Sequence, residues 1–302
     1  TYAFEDTCAW LAAHSAVTVV AALLRVTWRT VAAIVTRVVA ELAGSSDRLD
    51  GLRRIGIDEI AHRRGHRYLT VVVDHDTGRL VWAAAGRDTA TLLRFFDDLG
   101  PQRSALLTHV SADGAEWIHN AVTQRAPQTV ICLDPFHVVQ WATTALDEVR
   151  RGLWNTLRRQ GKNGQAASLK GTRWALLKNM RDLTGQQKTT LASIATTNKG
   201  LYRAYLLKEQ LRYVFEAKGD EGRQLLAGWL AWAKRSRLPA FTKLARTIDN
   251  YRPLIWNTLE HGLSNARVEA TNTHLRVLTR RPYGYHSPEA LIAMAMLTRG
   301  GL

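Results

Sequence analysis

Apolar positions near the start of the chain recur with the period of an α-helix. The clearest stripe has members at i, i+3, i+4, i+7 and i+11, and it comprises Val31, Ile34, Val35, Val38 and Leu42. An apolar run over 16–24 ends just before this stripe, and Thr27 is placed to cap the helix that carries it. Residues 5–42 are therefore predicted to form three short helices, with a tight turn before the last.

Two helices joined by so short a turn have the spacing of a helix-turn-helix, which places its second helix in the major groove of DNA. Arg29 and Arg37 fall outside the apolar stripe, so we predict that they face outward, where an Arg can bind a phosphate or a guanine edge. An ordinary helical hairpin has the same spacing, and this segment alone favours neither interpretation.

The pattern becomes that of β-strands after a polar stretch at 44–51. Residues 54–59, 68–73 and 80–84 are rich in β-branched and aromatic types, and His75-Asp76-Thr77-Gly78 supplies turn chemistry between the last two predicted strands. Helices and strands then alternate, with a helix at 89–99, a strand at 105–111, a helix at 117–124, a strand at 129–133 and a helix from 138. This order predicts an α/β fold in which a mixed sheet is flanked by helices.

The second half of the chain has a helical pattern. No strand pattern appears between about 151 and 253, and two more helices are predicted at 263–278 and 288–297, separated by a basic turn at 279–285. We therefore expect four consecutive segments: a helix-turn-helix at 1–44, the first part of the sheet domain at 45–150, a helical insertion at 151–255, and the final helices of the sheet domain at 256–302.

Charge is unevenly distributed along the chain. Lys and Arg number 41 against 26 Asp and Glu, a net charge of +15. Residues 1–149 carry 14 basic and 17 acidic side chains, whereas residues 150–302 carry 27 and 9. Such an excess on a folded segment favours a polyanion-binding surface over a merely solubilising one. The predicted DNA-binding side chains of the insertion are Arg158, Arg159, Lys162, Lys170 and Arg173.

Several classes of protein are disfavoured. Cys8 and Cys132 are too few for a four-cysteine zinc site or a disulfide framework, which indicates a reducing compartment, and Cys132 is interpreted as a core residue. The longest apolar run, 16–24, is far shorter than the ~20 residues that span a bilayer, so no membrane segment is expected. The chain begins with Thr and shows no signal peptide, so we expect a cytoplasmic protein with further residues ahead of Thr1.

Three acidic residues lie in apolar surroundings. Asp58 lies inside the first predicted strand, Asp113 follows a later strand, and Glu269 lies in a helix near the end of the chain. A carboxylate in such a place is costly without a positive partner, and several carboxylates can share a divalent cation. Together they predict a site for two Mg²⁺ ions ~3.5 to 4 Å apart, as used in phosphodiester cleavage.

Each of these acids also has a structural interpretation, which is the favoured one when the residue is considered singly. Asp58 could cap a turn or pair with Arg63, Asp113 could cap the helix at Trp117, and Glu269 could be a solvated helix residue. Asp134 and His137 form a second small group just past a strand, where His137 could hold a phosphate or orient a ligand carboxylate. An imidazole bonded to Asp134 at the start of a helix is an equally good interpretation.

Five ordered motifs carry a resemblance to a known family. They are Gly56-Ile57-Asp58-Glu59 with the hairpin after it, Val110-Ser111-Ala112-Asp113, Asp134-Pro135-Phe136-His137-Val138-Val139, Ser264-Asn265-Ala266-Arg267-Val268-Glu269-Ala270-Thr271-Asn272 and Arg280-Arg281-Pro282-Tyr283-Gly284-Tyr285. Together they resemble the DDE transposases of bacterial insertion sequences, of the ISL3 type, over about residues 1–300. The resemblance implies an RNase H-like core, interrupted by the helical insertion and preceded by a helix-turn-helix.

The resemblance also implies a chemistry. Asp58, Asp113 and Glu269 would be the catalytic and metal-binding triad for Mg²⁺, with Mn²⁺ as a substitute, and Asp134 and His137 an accessory pair. The reaction would be DNA cleavage at the terminal inverted repeats of the element and strand transfer into target DNA. Further expectations are DNA contacts from Arg280 and Arg281, a homodimer or higher oligomer on double-stranded DNA, and a nucleoid-associated location in a bacterium.

The chain departs from the family pattern in three places. It lacks the cysteine-rich ribbon that usually comes first, it has Ala266 and Ala270 where Gly is frequent, and Gly114 follows Asp113 where a bulkier residue is common. Two other functions stay open: a DNA-binding regulator in which the acids are structural, and an RNase H-like nuclease that cuts without joining.

Overall fold

The computed structural model describes residues 1–45, 47–63, 65–280 and 287–301. The strands are β1 (Arg54–Arg63), β2 (Arg67–Asp74), β3 (Leu80–Ala85), β4 (His109–Ala112) and β5 (Val130–Leu133). The helices are α1 (Tyr2–His14), α2 (Val17–Leu24), α3 (Trp28–Ser45), α4 (Thr89–Leu99), α5 (Pro101–Ser104), α6 (Glu116–Arg125), α7 (Pro135–Arg159), α8 (Asn163–Gly171), α9 (Arg173–Leu177), α10 (Gly185–Thr197), α11 (Lys199–Val214), α12 (Gly219–Arg235), α13 (Pro239–Asn250), α14 (Arg252–His261), α15 (Ala266–Arg280) and α16 (Pro288–Arg299). A short 3-10 helix, Met180–Asp182, precedes α10.

The strands form one mixed sheet in the order β3-β2-β1-β4-β5. β2 pairs antiparallel with both β1 and β3, while β1 and β4 run parallel. The turn between β2 and β3 is closed by Asp74, whose carboxylate accepts the backbone N–H groups of Asp76 (2.9 Å) and Thr77 (3.2 Å). Gly78 takes a φ of 75°, which its missing Cβ permits. The predicted mixed sheet flanked by helices is confirmed.

Both faces of the sheet are covered, which explains why its inner strands are continuously apolar. Leu69, Val71 and Val73 of β2 point into a core shared with α1, α2, α3, α15 and α16. Val72 points to the opposite face, into a core shared with α4 and α6. The three N-terminal helices therefore pack as part of the same unit as the sheet.

The chain divides into two compact units. The sheet unit comprises Thr1–Ile131 and Asn265–Leu302, and the helical unit comprises Cys132–Ser264. Helix α7 begins at Pro135, because Asp134 caps it and Pro135 suits its first turn, and it runs unbroken past residue 150, the expected end of the first sheet segment. The helical unit begins before residue 151 and ends after residue 255.

The helical unit has its own apolar core. Its largest fully buried side chains include Trp229, Tyr205 and Phe241, and Trp229 Nε1 donates to the carbonyl of Leu207 at 2.8 Å. Helix α11 contributes one continuous apolar face to this core, since Ala204, Leu207, Leu211 and Val214 are all buried.

Strand β4 begins at His109 although the apolar pattern predicted a start at 105. Pro101 starts helix α5, and the chain leaves that helix through a turn in which Leu106 N–H donates to the carbonyl of Arg103 at 3.0 Å. Leu106 in this turn is 48% exposed, whereas Leu107 just after it is buried without belonging to a strand. The apolar residues at 105–107 therefore do not form a strand, because the turn after α5 sets the backbone conformation.

Helix α15 begins at Ala266 although the sequence predicted a start at 263. The preceding helix α14 continues to His261, and Gly262 ends it with a φ of 62°, the left-handed conformation common at helix C-termini.

Among the described residues, no single helix is long and apolar enough to cross a membrane; the bent pair 17–24 and 28–44 reaches that composition only when the two are taken together.

Candidate active site

Asp58 and Asp113 lie at matching positions along two neighbouring strands. β1 and β4 pair in parallel, with Gly56 level with Ser111. Asp58 is two residues beyond Gly56 within β1, and Asp113 is two residues beyond Ser111, just after β4 ends. Because adjacent parallel strands keep their register, this pairing places the two acids level with each other on neighbouring strands, at the point where β4 ends.

The carboxylate of Asp58 is buried, with 7% of the residue exposed, and it is held from two directions. Its Oδ1 accepts the backbone N–H of Glu59 at 2.8 Å, and its Oδ2 accepts the side-chain Nδ2–H of Asn272 at 2.7 Å. The first donor belongs to β1 itself and the second to α15. Asp58 is thus fixed by both the strand and the helix that carries Glu269.

Helix α15 is docked on β1 through a close apolar contact. A Cβ built on Gly56 would lie 2.3 Å from Cγ2 of Val268, so only glycine allows the helix to come this near. Above and below Val268, Asn265 Nδ2 donates to the carbonyl of Ile57 (3.4 Å) and Asn272 donates to Asp58.

Glu269 lies between these two asparagines on the helix. It follows Asn265, the residue directly before α15, by four residues and precedes Asn272 by three, spacings that put all three on the same side of the helix axis. Because both asparagines contact β1 at residues 57 and 58, the face that carries Glu269 is turned toward the end of the sheet where Asp58 lies. Glu269 is half-buried, which differs from a fully solvated helix position.

A chain of buried polar side chains lies beneath this site. His75 Nε2 and Ser111 Oγ are 2.6 Å apart, and Ser111 Oγ also donates to Asn265 Oδ1. The chain joins the β2–β3 turn, β4 and α15. Burial, reinforced by the positive charges of Arg267 and Arg54, lowers the pKa of His75 to about 4.

This His75 environment predicts a pH-dependent stability. The folded-state pKa lies below the usual His value near 6.5, so the unfolded chain binds the extra proton first as the pH falls. The stabilisation that depends on neutral His75 is fully present above about pH 6.5. About 3 kcal/mol of unfolding free energy should be lost between about pH 6.5 and 4. Urea denaturation from pH 7.5 to 4.5 should show a shallower fall for His75→Gln than for the parent chain, whereas the exposed His14→Gln should behave as the parent. Equal slopes would contradict the assignment.

Asp113 and Glu260 have definite structural partners. Asp113 Oδ1 accepts the backbone N–H of Ala115 at 2.9 Å, directly before α6 begins at Glu116, so it stabilises the start of that helix. Glu260, another acid near the end of the chain, lies on α14 in the helical unit and pairs with Arg223 at 2.7 Å. Within the described ranges, no group of three or more His, Cys, Asp or Glu side chains lies close enough to hold a metal ion.

These positions can be compared with known proteins. A family model described as Transposase, of the DDE ISL3 type, matches residues 55–295. The chain belongs to the ISL3 family of DDE transposases. It is 55% identical over 320 residues to the transposase for insertion sequence element IS1557 of Mycobacterium tuberculosis, covering 100% of this chain and 72% of that protein. It is 30% identical over 286 residues to the transposase for IS1001 of Bordetella parapertussis, covering 93% of this chain and 69% of that protein.

The comparisons confirm the family that the five sequence motifs indicated. Membership in this transposase family implies an enzyme that cuts DNA, with DNA as its substrate. The matched range contains Asp58, Asp113 and Glu269, together with the asparagines that dock α15.

In this ISL3-family chain, Asp134 and His137 form a local pair in the helical unit. Asp134 is 1% exposed and caps α7, and its Oδ2 lies 2.8 Å from Nδ1 of His137. This geometry is the helix-start interpretation that the sequence left open. Cys132, just before this pair, is buried, and its burial raises the pKa of the thiol to about 12, as expected of a core residue.

The two predicted DNA-contacting arginines of the N-terminal helices differ in their surroundings. Arg29 is exposed and lies over the ring of Trp28, 5.5 Å from its centroid. Arg37 is also exposed, but its guanidinium donates to both carboxylate oxygens of Glu5 on α1, at 3.0 and 2.8 Å.

The basic side chains predicted on the helical unit are exposed. None of the five forms an ion pair with a carboxylate within the part of the chain that the structure describes. Arg158 lies over Trp154 (5.1 Å) and Arg173 over Trp174 (5.2 Å), and Trp174 is 59% exposed. Arg280 is exposed at the end of α15, and Arg281 lies outside the described residues.

Sequence reasoning missed His75, Asn265 and Asn272 as parts of this region. The sequence pattern places the asparagines within a motif and His75 within a turn, and it assigns neither a role. One signal was available: Val268, Asn272 and Leu275 stand at i, i+4 and i+7, so Asn272 falls on the apolar stripe of its helix. A polar residue on such a stripe needs a partner, and the structure supplies Asp58.

Proposed function

We propose that this chain is a metal-dependent DDE transposase that cleaves DNA at the ends of an insertion sequence and joins them to target DNA. Asp58, Asp113 and Glu269 are its catalytic carboxylates. The observation that carries the proposal is the docking of α15. Asn272 bonds Asp58 directly, and the helix face that bears Glu269 is turned toward the strand pair β1–β4, which carries Asp58 and is followed by Asp113.

The donor chemistry of these residues fits Mg²⁺, or Mn²⁺ in its place, because both take oxygen ligands. The side chains of Asp58, Asp113 and Glu269 would hold the metal. When bound, the metal activates the attacking oxygen and stabilises the leaving one.

The proposed reaction consists of two displacements at phosphorus. In the first, water attacks the phosphodiester at the element end; a P–O bond to water forms, the P–O3′ bond breaks, and a free 3′-hydroxyl results. In the second, that hydroxyl attacks a phosphodiester of the target, forming a new P–O bond and displacing a target 3′ oxygen. The three carboxylates orient the reacting groups, and the strands and α15 hold the carboxylates.

Two finer features of the fold belong to this proposal. The sheet order β3-β2-β1-β4-β5, with one antiparallel meander followed by a parallel crossover, supports an RNase H-like core. The 103° bend between α2 and α3, across the turn at 25–27, supports a helix-turn-helix, whose helices cross at about 90–120°. Asp134 and His137 stay a prediction as an accessory pair.

The test is an incubation of the full chain with a labelled element end, Mg²⁺ and a supercoiled target plasmid, with products separated on a denaturing gel. We expect both nicked ends and joined products, and neither when EDTA replaces Mg²⁺. Nicking without joining would instead identify a nuclease. Specific binding with neither product would identify a DNA-binding regulator.

The helix-turn-helix predicts a graded response to substitution of the two arginines. Arg29→Ala should weaken binding of the element end about tenfold, since it removes an exposed cation placed for a phosphate or base edge. Arg37→Ala should weaken it less, because the guanidinium of Arg37 already binds Glu5. Fluorescence anisotropy measures both, and circular dichroism should show unchanged helix content. Parent-like binding by both variants would make the segment a structural hairpin.

A further inference from the structure

Asn272 is an unusual residue for its position on α15. It is 1% exposed and lies on the apolar face of the helix with Val268 and Leu275, where an aliphatic side chain would fit without a desolvation penalty. A buried amide at such a place lowers the stability of the fold unless its hydrogen bonds compensate for its desolvation. The bond it makes, from Nδ2 to Asp58 Oδ2 at 2.7 Å, is therefore the feature to explain.

This bond completes the restraint on Asp58. With Glu59 N–H on Oδ1 and Asn272 on Oδ2, each carboxylate oxygen has a fixed donor and the plane of the carboxylate is set. An ionised carboxylate has about four lone-pair sites, more than the two that these donors use. The two donors set the directions in which all of these sites point.

The same bond ties together two distant parts of the chain. Asn272 and Asp58 are 214 positions apart in sequence, and Glu269 is three residues from Asn272 on the same helix face. A movement of α15 that carried Glu269 away from β1 would have to break the Asn272–Asp58 hydrogen bond.

The amide oxygen of Asn272 also indicates that the bond to Asp58 sets the orientation of this side chain. Its Oδ1 is buried, and no donor among the described residues reaches it. A buried amide oxygen left in this state costs free energy. The side chain nevertheless takes the orientation in which its Nδ2–H donates to Asp58.

We propose that Asn272 is a positioning residue of the active site: it orients the Asp58 carboxylate toward the metal and couples α15, and with it Glu269, to that carboxylate. The inference rests on the proposed function. Removal of a group that orients a metal ligand typically lowers metal affinity or activity about 10–100-fold.

The experiment uses two variants of the full chain, Asn272→Leu, which keeps the branched shape of the side chain, and Asn272→Ala, which cannot overpack. Mn²⁺ is titrated into each protein and free Mn²⁺ is followed by electron paramagnetic resonance, which reads binding without DNA or turnover. We expect the Mn²⁺ Kd to rise about 10–100-fold in every Asn272 variant that melts cooperatively, while DNA affinity stays within about twofold of the parent. High Mn²⁺ should restore part of the cleavage rate, as loss of metal affinity predicts and a general packing defect does not.

The matched control is Thr271→Val. Thr271 is also 1% exposed on α15, but its hydroxyl donates within the helix, to the carbonyl of Arg267 at 3.1 Å, so its removal should leave Mn²⁺ affinity unchanged. In an Asp58→Asn background, Asn272→Leu should cause little additional loss of Mn²⁺ affinity, since the two residues act as a unit.

Parent-like Mn²⁺ affinity in the Asn272 variants, or an equal loss in the Asp58→Asn background, would overturn the inference. If Asp58→Asn is inactive while the Asn272 variants bind Mn²⁺ and cleave as the parent, only this inference fails. If Asp58→Asn cleaves as the parent does, the proposed function itself fails.

Discussion

We expect Asp58→Asn, Asp113→Asn and Glu269→Gln each to reduce DNA cleavage and joining about 10³-fold or more. Each substitution removes one metal ligand from a site whose contribution is to position the metal and stabilise charge in the displacement. The losses should not add in double variants, because the three carboxylates act as a unit. Single-turnover cleavage of a labelled element end measures the effect. DNA affinity should be retained or increased, since a negative charge near phosphate is removed.

The control for the third carboxylate is Glu260→Gln. Glu260 lies nine residues before Glu269 in the sequence but belongs to α14, where it is exposed and pairs with Arg223. Its substitution should leave cleavage at the parent rate. An active Glu269→Gln beside an inactive Glu260→Gln would show that the third ligand is wrongly assigned.

The second large effect is the salt dependence of DNA binding. If the five exposed cations at 158, 159, 162, 170 and 173 each neutralise one phosphate, log Kobs should fall with log salt at a slope of about −4.5 from this surface alone. That slope corresponds to a loss of about 500-fold in affinity between 50 and 200 mM salt. Equilibrium binding of double-stranded DNA across this range tests it, and a slope near zero would refute the interpretation of the charge excess.

A double variant refines this prediction. Arg158→Ala with Arg159→Ala should make the slope shallower by about 1.8, because about 0.9 is lost per phosphate contact. The control is Arg181→Ala, since Arg181 is exposed but already pairs with Glu216. We expect Arg181→Ala to leave the slope nearly unchanged, and an equal effect of both variants would mean that the charge acts only through the overall field of the protein.

The local elements were largely predictable because their causes are local. The stripe on α3, the turn Asp74–Gly78 and the helix at Thr89–Leu99 follow from apolar spacing, glycine geometry and an Asp88 cap, each contained within a few residues. Errors occurred where a neighbouring element competed for the same residues. Helix α14 continues to His261, so α15 starts later than predicted, and helix α5 likewise delays the start of β4.

The candidate site was predictable only in its composition. Five motifs in order indicated the family and named the acids, yet each acid alone had an ordinary structural interpretation. Sequence separation conceals which groups restrain them: Asn265 bonds Ser111 across 154 positions. Similarly, the exposed position of Arg37 was foreseen, but its pairing with Glu5 depends on how α1 lies against α3.

The sequence by itself determined the family, the order of elements, the charge excess of the second half and the identity of the candidate carboxylates, since all of these are carried by residue type and short-range spacing. Only the tertiary structure decided that Gly56 admits Val268, that His75 is buried beneath the site, and that Asn272 holds Asp58. The physical reason is that burial and hydrogen-bond partners are properties of packed surfaces, and those surfaces bring together segments that lie far apart along the chain.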